Sequence, residues 1–433
     1  MSERCREVAR NMSLAASTEK ELLSTLLFSK DNHPTDSTDR SNIIIIGGEL
    51  FNKGAQAMTF TVVDQMSKRF PEKDIILLSG RDYQRSTDEK SQYTFEILPW
   101  GAEIQLPLLS PSMKYFNTTE FTNDVVEQIH EALENCSFLI DINGYAFSSQ
   151  CSFRGSIIYI NNIIIARKFG MPMYIFPQSI GPFDYEMAKK QVINPLMETY
   201  LQYPEVICPR EVEGVESLTP YTRDNVQREF DIVLQKQGYD IRNIYLDKPN
   251  LRYEKIQSDA VGIVPNSKVF EHADHEDLYS LYDAAIEKLL SENRTIYILR
   301  HSVEDLDLCR NIKRQFRNNE RVILLEDELN AIELEHIINQ FDFLIGSRYH
   351  SLIHAYKNHT PVITIGWAIK YKSLLRDFNQ GEYFFEGREK INEKEFTVAV
   401  SKMSEQYSRE SSTIETKLKI VQQNNLFNRL FDK

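Results

Sequence analysis

Short apolar runs rich in β-branched residues alternate with helical segments along most of the chain, and this alternation most constrains the fold. Ten such runs can be counted: Ile43–Ile46, Ile75–Leu78, Phe138–Ile142, Met173–Phe176, Val206–Cys208, Val261–Val264, Thr295–Leu299, Val322–Leu325, Phe343–Ile345 and Pro361–Ile365. Continuous apolar runs of this length are typical of strands buried on both faces of a parallel sheet. The sequence therefore predicts an α/β fold with helices on both faces of parallel sheets.

A polar stretch separates the first five runs from the last five. It covers Tyr221–Asp259, includes Gly238 and Pro249, and holds one candidate edge strand at Glu229–Leu234. With 433 residues the chain is long enough for two domains. We therefore predict two doubly wound, Rossmann-like domains that face each other across a cleft, as in the GT-B architecture.

The predicted organisation has four segments. Residues 1–40 are an N-terminal extension, partly disordered, with one short helix at Ser17–Phe28. The two α/β domains occupy residues 41–250 and 255–385, and a helical tail at 386–433 is expected to pack back onto the first domain. Residues 80–125, which are irregular and rich in proline, are predicted to form a long loop or cap.

Charge, cysteine usage and hydropathy limit the classes of function. A net charge of −13 argues against a broad nucleic-acid-binding surface. The five cysteines form no CxxC pair, so the sequence does not predict a zinc site. It predicts a reducing compartment. No apolar run approaches the roughly 20 residues of a membrane-spanning helix, and Met1–Arg10 is polar with no signal-peptide core. We expect a cytoplasmic protein, with peripheral association at the inner face of the membrane left open and the oligomeric state undetermined.

A group of cationic side chains follows two predicted strands of the second domain. The strand Phe343–Ile345 ends at Gly346, Ser347 is a candidate cap for the next helix, and Arg348 and His350 fall in that helix's first turn. The next strand leads to Lys370. Ligands bind at this end of open α/β sheets, and helix N-termini favour anions. The pattern predicts a site for a small, multiply charged anion; the alternative is a structural arginine and a buried, hydrogen-bonded histidine.

Polar side chains also follow the strands of the first domain, usually beside glycine or proline. They are Asn52, Asp141, Asn143, Gln178 and Arg210. The glycines Gly47 and Gly48 fit neither GxGxxG nor GxxxxGK[ST], which argues against the common nucleotide-binding loops. We interpret this rim as a ligand surface; the alternative is the ordinary polarity of any sheet edge.

Four stretches together resemble the polysaccharide pyruvyl transferase family over about residues 43–380. They are Gly47–Ala57, Pro177–Phe183, Arg210 with the acid and helix that follow it, and Ser347–Ile353 with Pro361 and Lys370. His301 with Asp305 is similar to the family's His-and-Asp pair after a second-domain strand. The chain departs from the family at Glu211, where Asp is usual, at Tyr349, where an aliphatic residue is usual, and at Asp141–Tyr145, which replaces a run of glycines.

The resemblance implies a transferase of cell-surface or exopolysaccharide biosynthesis that moves pyruvate from phosphoenolpyruvate to sugar hydroxyls as a ketal. It implies a donor site on the second-domain side, formed by Arg348, His350, Lys370 and His301 together with Arg210 from the first domain. It also implies an acceptor site on the first-domain side formed by Asn52, Asp141, Asn143 and Gln178. The acceptor would be a sugar or a lipid-linked oligosaccharide, and no metal or cofactor is expected. Arg348 and His350 are the expected catalytic residues, with His350 either the general acid or a phosphate ligand.

Two other functions remain open on the same architecture. A GT-B glycosyltransferase would use a nucleotide sugar and needs a carboxylate for the ribose, for which Glu326, Asp327 and Glu328 are candidates. A sugar-binding or assembly-scaffold protein without catalysis is the other alternative. Fold alone does not distinguish these functions.

Overall fold

The computed structural model describes residues 40–109, 121, 123–271 and 275–432. These form two compact units. Unit 1 holds the described residues up to Phe51, then Met58–Phe230 and Tyr239–Lys248, whereas unit 2 holds Asn52–Ala57, Asp231–Gly238 and the chain from Pro249 onward. The predicted extension, with its helix at Ser17–Phe28, lies outside the described residues.

Unit 1 contains a parallel six-stranded sheet in the order β3-β2-β1-β4-β5-β6. Its strands are β1 (Asn42–Ile46), β2 (Asp74–Ser79), β3 (Glu96–Pro99), β4 (Cys136–Asp141), β5 (Met173–Gln178) and β6 (Val206–Pro209). Ile45 pairs with Leu77 on one side and Ile140 on the other, and all three are buried. This is the doubly wound order, in which ligands bind where the strand order reverses, at the carboxyl ends of β1 and β4.

Among the described residues, seven helices accompany this sheet. They are α1 (Lys53–Arg69), α2 (Thr87–Lys90), α3 (Ala102–Leu109), α4 (Asn123–Glu134), α5 (Phe153–Lys168), α6 (Met187–Tyr200) and α7 (Val212–Leu218). The first turn of α1 belongs to unit 2, while the rest of the helix belongs to unit 1. Within unit 2, the first turn is held by a hydrogen bond from the Ala331 N–H to Gln56 Oε1 at 2.8 Å.

Two predictions about irregular segments are wrong. The segment 80–125 contains the edge strand β3 besides helices α2 and α3; Pro99 ends that strand, and proline is tolerated at a sheet edge. The candidate strand Glu229–Leu234 is instead a 3₁₀-helix at Ile232–Gln235, capped by the Asp231 side chain, which accepts from the Val233 N–H. Its apolar residues are all buried, which explains the strand-like pattern without a sheet.

Unit 2 contains a second parallel sheet in the order β12-β11-β10-β7-β8-β9. Its strands are β7 (Ala260–Val264), β8 (Thr295–Leu299), β9 (Val322–Leu325), β10 (Phe343–Gly346), β11 (Val362–Gly366) and β12 (Phe384–Glu386). Phe343, Leu344 and Ile345 are wholly buried because β10 is paired on both sides. The order again reverses between β7 and β10, so the predicted pair of doubly wound sheets is confirmed.

The helices of unit 2 include a long C-terminal one. They are α8 (Ser267–Phe270), α9 (His275–Ser291), α10 (Leu306–Gln315), α11 (Ala331–Ile338), α12 (Tyr349–Lys357), α13 (Ile369–Asp377), α14 (Glu393–Gln423) and α15 (Leu426–Phe431). The predicted helical tail exists, but α14 packs against α9 and α12 within unit 2 rather than back onto the first domain. Its buried side, which includes Phe396, Met403 and Leu418, accounts for this packing. Within the described part of the chain, no helix is long and apolar enough to cross a membrane.

Candidate functional site

The loop after β10 begins with a buried serine that does not cap the next helix. The Ser347 hydroxyl lies 3.0 Å from the Tyr282 hydroxyl, and its backbone carbonyl accepts from Asn266 Nδ2 at 2.8 Å and from the Tyr371 hydroxyl at 3.0 Å. The N-cap residue of α12 is Arg348, which makes no side-chain capping bond. The prediction that Ser347 caps this helix is therefore wrong, because its hydroxyl is engaged by Tyr282 on α9.

Arg348 is held in a two-pronged ion pair. Its Nε donates to Asp305 Oδ2 at 2.8 Å and its Nη2 donates to Asp305 Oδ1 at 2.5 Å. Nη2 also donates to Glu304 at 2.9 Å. Asp305 is wholly buried and accepts the backbone N–H groups of Ser267 and Ser302, which fixes its position. The guanidinium is thus oriented rigidly, and Nη1 has no hydrogen-bond partner among the described residues.

His301 follows β8 and is a buried imidazole with unmet hydrogen-bonding capacity. Its exposed fraction is 5%, and neither ring nitrogen has a partner among the described residues. Burial lowers the pKa of His301 well below its usual range, and the positive charges of Arg348 and Lys53, together with two neighbouring histidines, lower it further. The ring is therefore neutral at neutral pH. Buried polar groups are normally paired, so this ring is a candidate for contact with a bound ligand.

His350 lies in the first turn of α12, against the start of α1. Its Nε2 is 3.8 Å from the buried Asp231 carboxylate. A Cβ atom added to Gly54 would lie 2.0 Å from His350 Nδ1, so the ring occupies the space that the glycine leaves.

Asn52 Oδ1 accepts from the N–H groups of Gly54 and Ala55 at 2.9 and 3.2 Å and so caps α1. Asn52 has this local role in unit 2; its assignment to acceptor binding stays a prediction.

Lys370 follows β11 on the first turn of α13. Its Nζ lies 5.1 Å from the centre of the Tyr349 ring and 5.8 Å from that of Tyr371. Tyr349 therefore contributes an aromatic face to a cation at the position where an aliphatic residue was expected. In one sheet, Arg348 and His350 follow the carboxyl end of β10, Lys370 follows that of β11 and His301 follows that of β8, which β7 separates from β10.

In unit 1, three of the predicted acceptor residues form one hydrogen-bonded cluster. Asp141 Oδ1 accepts from the backbone N–H and the Nδ2 of Asn143, both at 2.9 Å, and from Gln178 Nε2 at 3.2 Å. Asp141 and Gln178 are wholly buried, while Asn143 is partly exposed. Asp141 therefore orients Asn143, and Gln178 helps to hold Asp141 in place. Gly47, with φ +75°, is required here because a Cβ atom would lie 2.5 Å from Asn143 Cγ.

Arg210 lies beside this cluster in unit 1. Its Nη2 donates to the Gly144 carbonyl at 2.7 Å and to Ser179 Oγ at 2.8 Å. The Ser179 hydroxyl in turn donates to Glu211 Oε1 at 2.9 Å, so Glu211 supplies a carboxylate even though it replaces the usual aspartate. The Arg210 side chain thus contacts the residues that follow Asn143 and Gln178 in the sequence, and its backbone N–H donates to the Gln178 carbonyl at 3.0 Å. Its participation with Arg348 in one donor site stays a prediction.

The buried carboxyl of Asp141 predicts a pH-dependent stability difference. Burial raises its pKa from 3.8 to about 6, and an acid whose pKa rises on folding destabilises the protein as pH increases through that range. Asp141→Asn keeps a carbonyl acceptor for Asn143 and Gln178 but removes the buried charge. We expect the stability of the variant relative to wild type to rise between about pH 4 and pH 7 and then to level off. A pKa shift is equivalent to about 1.4 kcal/mol per unit, so the difference in unfolding free energy should reach no more than about 3 kcal/mol.

Urea unfolding of both proteins at a series of pH values measures this difference. A difference in unfolding free energy that stays constant from pH 5 to pH 8 would contradict the assignment of a raised pKa to Asp141.

Four residues near the site were not predicted from sequence: Lys53, Gly54, Asp231 and Glu304. In the sequence, Gly54 falls within the stretch Gly47–Ala57 that resembles the family, and Asp231 falls within the predicted strand Glu229–Leu234. Both belong to segments that the structure assigns to unit 2, distant in sequence from α12. The one available signal was the Asn-Lys-Gly sequence that opens α1, in which a lysine stands between a cap residue and a small residue.

Comparison with known proteins identifies a family that matches this chain. A family model described as polysaccharide pyruvyl transferase matches residues 52–368. A search of curated proteins found no sequence that matches.

Among solved structures, the UDP-GlcNAc 2-epimerase from Methanocaldococcus jannaschii is 11% identical, with a TM-score of 0.53 over 83% of this chain and 92% of that one. UGT71G1 from Medicago truncatula, solved with UDP-glucose, is 8% identical with a TM-score of 0.51 over 92% and 99%. The glycotransferase of kitacinnamycin is 8% identical with a TM-score of 0.54 over 91% and 98%. Likeness at such low identity shows the fold alone, and it confirms the GT-B-like fold class.

Proposed function

Because the chain belongs to the polysaccharide pyruvyl transferase family, we propose that it transfers pyruvate from phosphoenolpyruvate to two hydroxyls of a sugar, forming a cyclic ketal. The observation that carries the proposal is the cluster in unit 2 of an oriented arginine, a buried neutral histidine with unmet hydrogen bonds and a second histidine paired with a carboxylate. These groups suit an anion that carries both a phosphate and a carboxylate. A cytoplasmic location near the inner face of the membrane belongs to the same proposal.

The donor's anionic groups would be bound by groups of different kinds. Arg348 offers Nη1 in a direction fixed by Asp305, and a planar guanidinium matches a carboxylate or phosphate. His301, being neutral, offers a hydrogen bond without a charge. Lys370 adds a mobile ammonium group. The proposal requires no metal, because these cations can stabilise the negative charge on the leaving phosphate.

The reaction starts with proton transfer to the methylene carbon of the enol, which becomes a methyl group and leaves C2 electrophilic. We assign this transfer to His350, whose Nε2 lies 3.8 Å from Asp231; at this distance the carboxylate makes no hydrogen bond to the ring, but its charge can balance an imidazolium. One sugar hydroxyl then attacks C2 and the C2–O bond to phosphate breaks. The second hydroxyl closes the ring. Of the two hydroxyl protons released, one replaces the proton given by His350 and one leaves with phosphate.

The acceptor sugar would be bound by unit 1. Asn143 is the partly exposed member of its polar cluster, and its amide group is oriented by Asp141. Gln178 and Asp141 would act mainly through Asn143, since both are wholly buried. A sugar or a lipid-linked oligosaccharide fits a neutral amide that can donate and accept hydrogen bonds.

Charge pairing in the loop after β9 weakens the case for a nucleotide-sugar enzyme. Each acid proposed to bind a ribose already faces a cation. Glu326 pairs with Arg310 at 2.8 Å, Asp327 with Arg252 at 2.8 Å and Glu328 with Lys53 at 3.1 Å. A ribose hydroxyl would have to displace these partners at a small cost, because the three acids are about half exposed, so the pairing only adds to the argument from the family match. We therefore rank the glycosyltransferase second.

Phosphate release from phosphoenolpyruvate tests the proposal. Release is expected when a galactoside or a related glycoside is added and is expected to be absent without one. Release of UDP from a UDP-sugar, with no phosphate formed from phosphoenolpyruvate with any glycoside, would favour the glycosyltransferase. A protein that binds glycosides but yields neither product would be a binding or scaffold protein.

Arg348→Lys is expected to weaken binding of phosphoenolpyruvate about tenfold to a hundredfold. Lysine keeps the positive charge but loses the planar fork, both toward Asp305 and toward the donor. Calorimetric titration measures the affinity. Arg388→Lys is the matched control, since Arg388 makes an exposed two-pronged pair with Glu386 in the same unit. Equal donor affinity in Arg348→Lys and wild type would contradict the donor assignment.

A further inference from the structure

The first turn of α1 places one more cation at the proposed donor site. Lys53 is nearly buried, with 8% of its side chain exposed, and its Nζ lies 3.1 Å from Glu328 Oε1. Gln56, one turn along the helix, accepts a hydrogen bond from the backbone N–H of Ala331 at 2.8 Å, and this buried contact fixes the turn against the start of α11. Lys53 therefore has a defined position in unit 2.

Lys53 is close to the residues assigned to the donor. Its positive charge is one of those that lower the pKa of the buried His301. The next residue, Gly54, lies against the His350 ring. The short segment that opens α1 thus contacts His350 through Gly54, and His301 is a buried ring with no partner among the described residues.

Charge balance shows why the site needs this cation. The charge of Arg348 is already offset by the buried carboxylate of Asp305, which is fixed by two backbone N–H groups. His301 is neutral. Lys370 adds one positive charge, but a donor with both a phosphate and a carboxylate carries more negative charge than Lys370 and the offset Arg348 can balance, and binding an anion away from water requires compensating charge. Lys53 lies close to these groups, and its partner Glu328 is able to move.

Glu328 can move away from its cation, whereas the buried Asp305 cannot. Its side chain is 54% exposed, and it also lies 3.9 Å from Arg300 Nη2. If Glu328 moves away from Lys53, Arg300 still provides it with a counterion. An exposed carboxylate can be displaced at small cost because surface ion pairs contribute little.

We propose that Lys53 is a further ligand for the anionic groups of the donor, and that Glu328 occupies its ammonium group until the donor displaces it. This inference rests on the proposed function for the identity of the donor. Glu328 thereby competes with the donor for Lys53. An anion binds there only if it interacts with Lys53 more favourably than Glu328 does. Small anions with a single charge would compete poorly, whereas a phosphate with a second anionic group would compete well.

The inference is tested by calorimetric titration of the full chain with phosphoenolpyruvate and, separately, with inorganic phosphate. Lys53→Gln is expected to weaken binding about tenfold to a hundredfold, as for loss of a hydrogen bond to a charged group. Glu328→Gln is expected to tighten binding several-fold, a gain that misfolding would not produce. The gain should disappear in the double variant, because Glu328 acts through Lys53. Asp327→Asn is the matched control, since its partner is the exposed Arg252, and it should leave affinity unchanged.

The outcomes separate this inference from the proposed function. Binding of phosphoenolpyruvate with equal affinity in wild type, Lys53→Gln and Glu328→Gln would overturn the role of Lys53 and leave the function standing. Binding of phosphate alone, with the predicted shifts in the variants, would support the Lys53 site and overturn phosphoenolpyruvate as the donor. Binding of neither anion would overturn both.

Discussion

Replacing His350 with glutamine is expected to slow the chemical step by about two to four powers of ten. Glutamine retains a hydrogen-bond donor but has no proton to deliver at neutral pH. Affinity for phosphoenolpyruvate should change far less, because the charges of Lys53, Lys370 and Arg348 remain. The reason for assigning the proton to His350 and not to His301 is electrostatic. His301 is held neutral by burial and nearby cations, whereas His350 has the carboxylate of Asp231 at 3.8 Å.

Single-turnover rates and equilibrium affinities separate the two roles of His350. A large fall in rate with nearly unchanged affinity supports the general acid. A large fall in affinity with a small change in rate would make His350 a phosphate ligand instead. His130→Gln is the control, since His130 is a half-exposed histidine paired with Glu134 in unit 1, and it should affect neither quantity.

Adding one methyl group at Gly54 is expected to lower the rate of the chemical step about a hundredfold. The new Cβ atom would lie 2.0 to 2.6 Å from three atoms of the His350 ring, so the whole ring must move. A displacement of about 1 Å in a catalytic group can cost about a hundredfold in rate. Alanine is otherwise favoured over glycine in a helix by roughly 0.5–1 kcal/mol, so the loss of activity should greatly exceed any loss of stability.

A double variant identifies the cause. In a His350→Ala background the ring is gone, and Gly54→Ala should cost little more than His350→Ala alone. Gly381→Ala serves as the control in the same unit, because no heavy atom lies within 4 Å of the added Cβ atom. A Gly54→Ala protein with the wild-type rate would show that the close approach of α1 to His350 has no part in catalysis.

Local patterns were sufficient to predict most of the framework. Runs such as Ile43–Ile46 and Phe343–Ile345 are buried on both faces of a parallel sheet, and this environment permits little besides apolar residues. The same logic placed Arg348, His350 and Lys370 after strands of one sheet. The edge strand β3 was missed because an edge strand is short and tolerates proline, so its sequence resembles that of a loop.

The contacts that give the site its chemistry depend on residues far apart in sequence. The fork between Arg348 and Asp305, the pairing of Ser347 with Tyr282 and the approach of Gly54 to His350 all join segments that only the tertiary fold brings together. A capping pattern correctly identifies serine as a good N-cap, but a buried tyrosine can compete for the same hydroxyl. Sequence patterns also carry no information on whether a histidine such as His301 finds a hydrogen-bond partner.

The central claim is that the three-carbon unit of phosphoenolpyruvate is transferred to a sugar. It is tested most directly by incubating the protein with carbon-13-labelled phosphoenolpyruvate and a galactoside and examining the sugar product by NMR and mass spectrometry. The account predicts a labelled methyl group and a labelled ketal carbon bonded through oxygen to two sugar positions, with one phosphate released for each ketal formed. A sugar product without label, or one that has gained a hexose from a UDP-sugar, would contradict it.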